Sequence, residues 1–341
     1  NLKFDEYPFQ DYEVVKGKIV SKRGREKKAL RAKVLYELIR AILVIMYAPL
    51  ALIILATPWR FINLKNSGRI GHLALEIDWI LKRQALGFDT NVKPVLLVPP
   101  GREIANWALL KIWARKIDVV SDHVASVFLQ PLMFFRALRI ETIEAVVRSP
   151  ANYPQIVGLL NPNESNLQMT TEEKAICEKT LREMGLPKGA WFVSVHSRES
   201  TYSPKDAAHN DSRNCNISNY EGAVDQILKR GGWCIRVGEP GGQELAKRPG
   251  VINYHNSPFK SDLMDLYLCL ENRFFLGNTS GLYTVSVVGG KPCALANMVP
   301  LGACYGFGRD SISIPKTLST RDGKKLHFKY IFSSRLSDFS Y

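Results

Sequence analysis

Residues 41 to 59, AILVIMYAPLALIILATPW, form an uncharged run of 19 residues bracketed by Arg40 and Arg60. Such a run has to leave water. Roughly 20 apolar residues span a bilayer, and a stretch this long exceeds what a helix in a soluble core needs. Residues 16 to 33, KGKIVSKRGREKKALRAK, precede it with nine basic residues and one acid, a composition that suits an anionic lipid surface. The run begins too far into the chain, and lacks a small-residue cleavage pattern after it, to be a signal peptide. Pro49 lies at its centre and removes one helix hydrogen bond, which predicts a kink or a re-entrant hairpin. A true crossing would hold the basic arm in the cytosol and push residues 60 to 341 to the far side. A bent segment dipping into one leaflet keeps both ends on the cytoplasmic face, and this monotopic anchor is the expectation. A buried core helix is the alternative.

Charge and cysteine usage narrow the class further. Lys plus Arg total 46 against 32 for Asp plus Glu, a formal charge of +14 that favours anionic partners. Zinc-ligand spacing, an RNP-like aromatic signature and an arginine-rich tract are all missing from the sequence, so nucleic acid has only the charge behind it and is not the expected partner. The six cysteines all lie in the second half without a CxxC pair, several in apolar runs such as GGWCIRVG and LYLCLEN. They read as reduced, buried thiols. The chain opens at Asn1 without an initiator methionine, which leaves room for residues upstream.

From residue 64 onward glycine-marked turns, apolar runs and helical periods alternate, as βα units around parallel sheets require. NLKNSGRIGHLALEIDWILKRQALG reads as a turn at Gly68 to Gly71 followed by a helix, VKPVLLVPP as a strand, GREIANWALLKIWARK as a helix and IDVVSD as a strand. ASVFLQPLMFFRALRIETIEAVV is helical sequence broken near Pro131, and RSPANYPQIVGLLNPNESNLQM is a Pro- and Asn-rich linker. Thr170 and Glu173 form a capping box that opens a second unit. AWFVSVHSR is its first strand, and Ser218 with Glu221 predicts the cap of a helix ending at Gly231. WCIRVG, VINY, RFFLG and KPCALAN are further strands, with SDLMDLYLCLE a helix between them. The expected plan is a basic arm (1–40), an apolar membrane segment (41–60), an αβα domain over 64–160, a second over 165–310 and an extension over 311–341. Ligands of such units bind at the carboxyl ends of the strands.

Three of those ends in the second half carry polar residues suited to an anion. They are VSVHSRES with His196 and Arg198, IRVGEP with Arg236, Gly238 and Glu239, and FLGNTSG with Asn278, Thr279, Ser280 and Gly281. In GNTSG the hydroxyls add donors, and glycine lets a phosphate approach the backbone closely. Arg198 can pair with the same phosphate in bidentate fashion. Glu239 suits a ribose or sugar hydroxyl. The long polar loop ESTYSPKDAAHNDSRNCN, with Asp206, His209, Asp211, Arg213 and Asn214, reads as functional because it lies between a core strand and a capped helix. In the first half, His72 follows the Gly68 to Gly71 turn and could take a proton near neutrality, with Asp122 and His123 as competing candidates. No DxD pattern places carboxylates for a metal, so no metal is expected and arginines must supply the positive charge.

The succession H-x-R at a strand end, D-x-R-N in a loop, Y-x-x-A in a helix ending Gly-Gly, I-R-V-G-E, and G-N-T-S-G before G-K-P resembles a family of bacterial glycosyltransferases encoded among surface-polysaccharide genes. That family is itself distantly similar to GT-B fucosyltransferases with an H-x-R motif. The resemblance covers residues 64 to 310 and is most specific over 192 to 297. It implies a GT-B-like α/β fold of two Rossmann-like domains facing a cleft, a nucleotide-diphosphate sugar donor in the second half, no cofactor and no required metal. It also implies phosphate contacts from His196, Arg198 and Ser280. Asp211, Arg213 and Asn214 match the pattern without an implied role. The expected function is transfer of a sugar, with inversion, to a hydroxyl of a lipid-linked or membrane-proximal acceptor at an anionic membrane surface. A non-catalytic subunit of a membrane-protein complex on the same scaffold, and a nucleotide-sugar epimerase, are the alternatives.

Overall fold

The computed structural model describes residues 12–15, 18–140, 165–199, 211–299 and 310–333, with side chains from Leu30 onward except that of Phe332. Most of the expected linker, the part of the polar loop that holds Asp206 and His209, and Cys304 lie outside these residues. A short antiparallel pair, β1 (Tyr12–Val15) and β2 (Lys18–Ser21), leads into one long helix, α1 (Lys22–Leu55).

Two parallel sheets follow. The first contains β3 (Trp59–Ile62), β4 (Lys93–Leu97), β5 (Asp118–Val120) and β6 (Arg139–Ile140) in the order β5-β4-β3-β6. Its helices are α2 (Ile70–Ala85), α3 (Trp107–Trp113) and α4 (His123–Leu129), the last running into a 3-10 turn, Gln130–Phe134. The second contains β7 (Phe192–Val195), β8 (Trp233–Arg236), β9 (Val251–Ile252), β10 (Phe275–Gly277), β11 (Cys293–Met298) and β12 (Ile312–Pro315) in the order β12-β11-β10-β7-β8-β9. Around it lie α5 (Thr171–Glu183), α6 (Glu221–Leu228), α7 (Asp262–Leu270) and α8 (Leu282–Val288). A final short helix, α9 (Phe328–Ser333), follows. These are the two parallel α/β units expected from the alternation of turns and apolar runs.

Four expectations are corrected. Pro49 neither kinks α1 into a hairpin nor ends it, and the helix is continuous from Lys22 to Leu55. The reason is tertiary: Tyr47, Leu50, Ala51 and Ile54 pack against Phe61, Val95, Leu97, Leu132 and Leu138, which hold the axis on both sides of the proline. The end of the uncharged run is also not membrane segment, because Trp59 already belongs to β3. Ser218 does not cap α6. Asn216 caps a 3-10 turn instead, and Glu221 turns away to accept from Ala246 N at 2.9 Å and to pair with Arg248. Finally, the extension after residue 310 is part of the second sheet, because β12 pairs with β11.

The two units are not separated by an open interface. Leu73, Ala74, Ile77 and Ile80 of α2 belong to the same buried cluster as Tyr283, Val285 and Val288 of α8. The contact is closest at the first turns of the two helices, where a Cβ on Gly71 would lie 3.0 Å from Gly281 Cα, and one on Gly281 would lie 2.9 Å from Ile70 Cγ2 and 3.1 Å from Gly71 N. Asn106 Nδ2 donates to Asp262 O at 2.9 Å, Trp107 N donates to Asp262 Oδ2 at 2.6 Å, and Asn166 Nδ2 donates to Asp78 Oδ1 at 2.8 Å. A side chain at either glycine forces backbone apart, so Gly71→Ala and Gly281→Ala should each cost about 1–3 kcal/mol in thermal or denaturant unfolding. Gly222→Ala, in α6 where an added Cβ meets nothing within 4 Å, should instead be neutral or stabilise by up to about 1 kcal/mol.

Candidate functional site

Because β7, β8 and β10 are adjacent and parallel, their carboxyl ends share one rim. The rim is assembled by Asn278, which is fully buried just beyond β10. Its Oδ1 accepts from Arg198 N at 2.9 Å and its Nδ2 donates to Arg213 O at 2.7 Å. One amide side chain thus joins the end of β7 to the turn at residues 211–213. Arg213 Nη2 reaches back to Thr279 O at 3.3 Å. Lys316, just after β12, donates to Ser212 O and Asn214 O, both at 2.8 Å, and fixes the same turn from the other side. Two arginines, Arg198 and Arg213, are therefore held beside the Asn278–Ser280 segment.

Within that segment the polar residues differ in role. Thr279 Oγ1 donates to Val299 O at 2.9 Å and accepts from Val299 N at 3.2 Å, so it ties β10 to the end of β11. Ser280 is different: its side chain is only 6% exposed, and its Oγ has no hydrogen-bond partner among the described residues. Buried hydroxyls are nearly always paired, so the partner of this one lies outside the described residues. Gly281 begins the close approach to α2.

The third strand end turns inward. Arg236 is 2% exposed, and its guanidinium donates to Val237 O, to Gln243 O at 3.2 Å and to Glu199 Oε1 at 2.8 Å. Glu199 Oε2 also accepts from Gln243 N at 2.9 Å. Arg236 therefore braces the loop after β8, and its charge is balanced by Glu199. Gly238 has a φ of +145°, and a Cβ there would lie 3.0 Å from Arg236 Nη1 and 3.2 Å from His196 Nδ1, so the brace requires glycine. Glu239, exposed at the tip of the loop, is available to a hydroxyl.

His196 also faces inward. A carbonyl can only accept, so the 3.0 Å contact between Nδ1 and Val237 O places the proton on Nδ1. Burial and the neighbouring Arg236 push its pKa down to about 3. The ring is neutral at physiological pH, and its other nitrogen can accept but not donate, which suits a hydroxyl better than a phosphate oxygen. Asp211 and Asn214 pair with each other, Nδ2 to Oδ1 at 3.1 Å, and shape the turn that carries Arg213.

On the first unit, His72 of α2 follows directly on Gly71 and so lies next in sequence to the Gly71–Gly281 contact. His72 Nδ1 lies 2.6 Å from Glu76 Oε1, and Glu76 is fully buried. A carboxylate one helical turn away fixes the orientation of the imidazole, as in other His–carboxylate pairs. Glu76 was not among the residues singled out from sequence, although the His72 to Glu76 spacing of four places both on one helix face. Asp122 is the cap of α4, its Oδ1 accepting from Ala125 N at 2.8 Å, and His123 is the first residue of that helix. Both lie at the carboxyl end of β5, and Asp122 has a structural task already.

His196 gives a pH dependence whose sign follows from its lowered pKa. The unfolded histidine takes up a proton below its ordinary value near 6.5 while the folded one does not, so folding stability is complete above that value and is lost as pH falls toward 3. Thermal melts from pH 7 to pH 5 should show a loss of about 2 kcal/mol attributable to this residue, and His196→Gln should flatten that part of the slope. His255, buried and likewise shifted downward by its burial, should leave a residual slope in that variant.

No family model matches the sequence, and no curated protein matches it. Among solved structures, the chain is similar to a glycosyl transferase of family 9 from Veillonella parvula, at 11% identity and a TM-score of 0.45, over 81% of this chain and 88% of the other. It is also similar to the E. coli ADP-heptose lipopolysaccharide heptosyltransferase II, at 13% identity and a TM-score of 0.46, over 79% and 93% of the two chains. A third is the E. coli heptosyltransferase WaaC with ADP-2-deoxy-2-fluoro heptose, at 12% identity and a TM-score of 0.39, over 78% and 94%.

Proposed function

We propose that the protein is a membrane-associated glycosyltransferase that moves a sugar from a nucleotide-diphosphate donor to a hydroxyl of a lipid-linked or membrane-proximal acceptor, with inversion and without a metal. The observation that carries this reading is the rim itself: Arg198 and Arg213 clipped together by Asn278, beside a buried Ser280 hydroxyl with an open position, across the seam from a His72–Glu76 pair. In the reaction, an acceptor oxygen forms a bond to the anomeric carbon while the bond from that carbon to the diphosphate oxygen breaks. With Nδ1 held by Glu76, the Nε2 of His72 takes the acceptor proton, and Glu76 offsets the imidazolium charge. Arg198, Arg213 and the Ser280 hydroxyl receive the charge that develops on the departing nucleoside diphosphate, in place of a cation.

Membrane association rests on α1. Leu30–Leu55 is long and apolar enough to cross a membrane by length and composition, and only 11% of its most apolar window is buried. Its uncharged helical part, residues 41 to 55, extends about 22 Å at 1.5 Å per residue, short of the roughly 30 Å of a hydrocarbon core. That length, and the packing of Tyr47 to Ile54 on the first sheet, favour a helix lying in one leaflet, with both of its ends on the same face.

Calorimetry with UDP, GDP, CMP and dTDP on the purified full chain tests the donor site. Arg198→Ala should abolish binding of whichever nucleotide binds, with unfolding temperature preserved; unchanged binding would remove the site. His72→Ala should leave nucleotide affinity intact and lower turnover by about 100-fold or more. Glu76→Gln, which removes the charge but keeps the shape, should lower kcat less than His72→Ala does, again with nucleotide affinity intact.

A further inference from the structure

At the carboxyl end of the first sheet lies a cavity of about 770 Å³. Its polar wall is the segment between β3 and α2 together with the turn after β4, contributing Lys65, Arg69, Arg102 and Glu103; its other wall is Gln130 and Met133 from the 3-10 turn after α4. The polar wall is built as a unit. Arg102 donates to Leu97 O at 2.9 Å, to Ser67 Oγ at 3.0 Å and to Leu64 O, and Ser67 Oγ donates to Glu103 O at 2.7 Å. Three cations against one carboxylate leave the cavity positive. Lys65 and Arg69 are exposed at its mouth, and Arg102 is fixed within the wall.

The element on the opposite side is apolar where it meets solvent. Val124, Val127 and Phe128, at positions i, i+3 and i+4 of α4, are 80%, 54% and 56% exposed. One helix face is thus turned outward with nothing covering it in the described structure, although α4 is pinned beneath by Leu129 and the following Leu132 in the cluster that also holds α1. This face continues that of α1. Phe128 packs against Tyr47 with ring centroids 5.6 Å apart and ring planes tilted by 52°, and Ile45, Met46, Leu52 and Ile53 of α1 are each more than 60% exposed. Cations edge the combined surface: Arg40 lies 5.8 Å over the Phe134 ring, and Arg136 is exposed just beyond.

An apolar face continuous with an apolar anchor, edged by cations and opening onto a positive cavity, matches the cross-section of one leaflet, with acyl chains below and phosphates above. We infer that α4 and the following 3-10 turn form a second membrane contact beside α1, and that the cavity they border receives the phosphate of a lipid headgroup. Two contacts fix what one helix leaves free, the rotation of the catalytic units about α1. They set the cavity, and the His72 turn that follows Arg69 in sequence, at headgroup level. The inference rests on the membrane association proposed for α1 but not on sugar transfer; joined to the sugar transfer proposed above, it gives the acceptor class as a lipid bearing phosphate.

The test uses the full chain reconstituted in phosphatidylcholine vesicles containing phosphatidic acid, with a benzophenone amino acid at position 45, 124, 128 or 176. Irradiation should give acyl-chain adducts at 45, 124 and 128 but not at 176, where an isoleucine about as exposed as Phe128 lies on α5. Adducts at 45 without adducts at 124 and 128 would overturn the second contact while leaving the anchor in place, and adducts at none of them would overturn both. For the cavity, calorimetry on the full chain in neutral micelles compares dihexanoyl phosphatidic acid, dihexanoyl phosphatidylcholine and inorganic phosphate. Phosphatidic acid should bind tightest, and Lys65→Ala with Arg69→Ala should weaken it by about fivefold per cation lost. Equal binding of the two lipids, equal binding of phosphatidic acid and inorganic phosphate, or indifference to the double variant would each overturn the headgroup assignment. None of these readouts involves a nucleotide, so loss of the donor site in Arg198→Ala and loss of the lipid site are separate results.

Discussion

The meeting of Gly71 with Gly281 organises the molecule. Two helices that each begin at the carboxyl end of a parallel sheet approach so closely that neither first turn has room for a Cβ. From that point their apolar faces run together into one buried cluster shared by both sheets. The consequence is positional. A histidine at the start of one helix and a serine at the entry to the other stand on either side of the same seam, and the geometry of any chemistry between them depends on the halves not moving apart. Packed interiors deform little, so contact at the glycines transmits alignment as well as stability.

The rim on the second unit shows how similar residues take opposite roles. Arg198, Arg213 and Arg236 all follow or end strands or turns near one another, yet only the first two are held by backbone contacts at the edge. Arg236 points beneath its own loop and pairs with Glu199. A buried arginine needs a carboxylate and several carbonyls, and the loop after β8 supplies both. His196 is likewise drawn inward and kept neutral by burial. Arg198 and Arg213 are instead joined through their backbones by Asn278 at the strand ends, and the inward pair braces the loop beside them.

Much of the plan could be read from residue order. The alternation of apolar runs and glycine turns, the Thr170–Glu173 capping box and the strand ends at His196 and Ser280 all have local causes, and they occur where those causes put them. The misreadings were of features decided at a distance. Pro49 fails to bend α1 because the first sheet packs against the turns around it. Glu221 leaves its expected capping role because Ala246 N and Arg248, more than 20 residues away, compete for its carboxylate. The partner of His72 was visible as a spacing, but only burial shows that Glu76 faces the same interior and not solvent.

By itself, then, the amino-acid order determined the two parallel α/β units, the apolar helix ahead of them, and which strand ends carry polar groups, because these follow from periodicity, capping and turn chemistry within a few residues. Tertiary structure alone decided that the units share one core, that Asn278 joins Arg198 to Arg213, that Arg236 serves the interior, and that α4 turns its apolar face outward beside α1. Those outcomes depend on which of several available partners a side chain reaches first, and a partner distant in sequence comes within reach only once the sheets have formed.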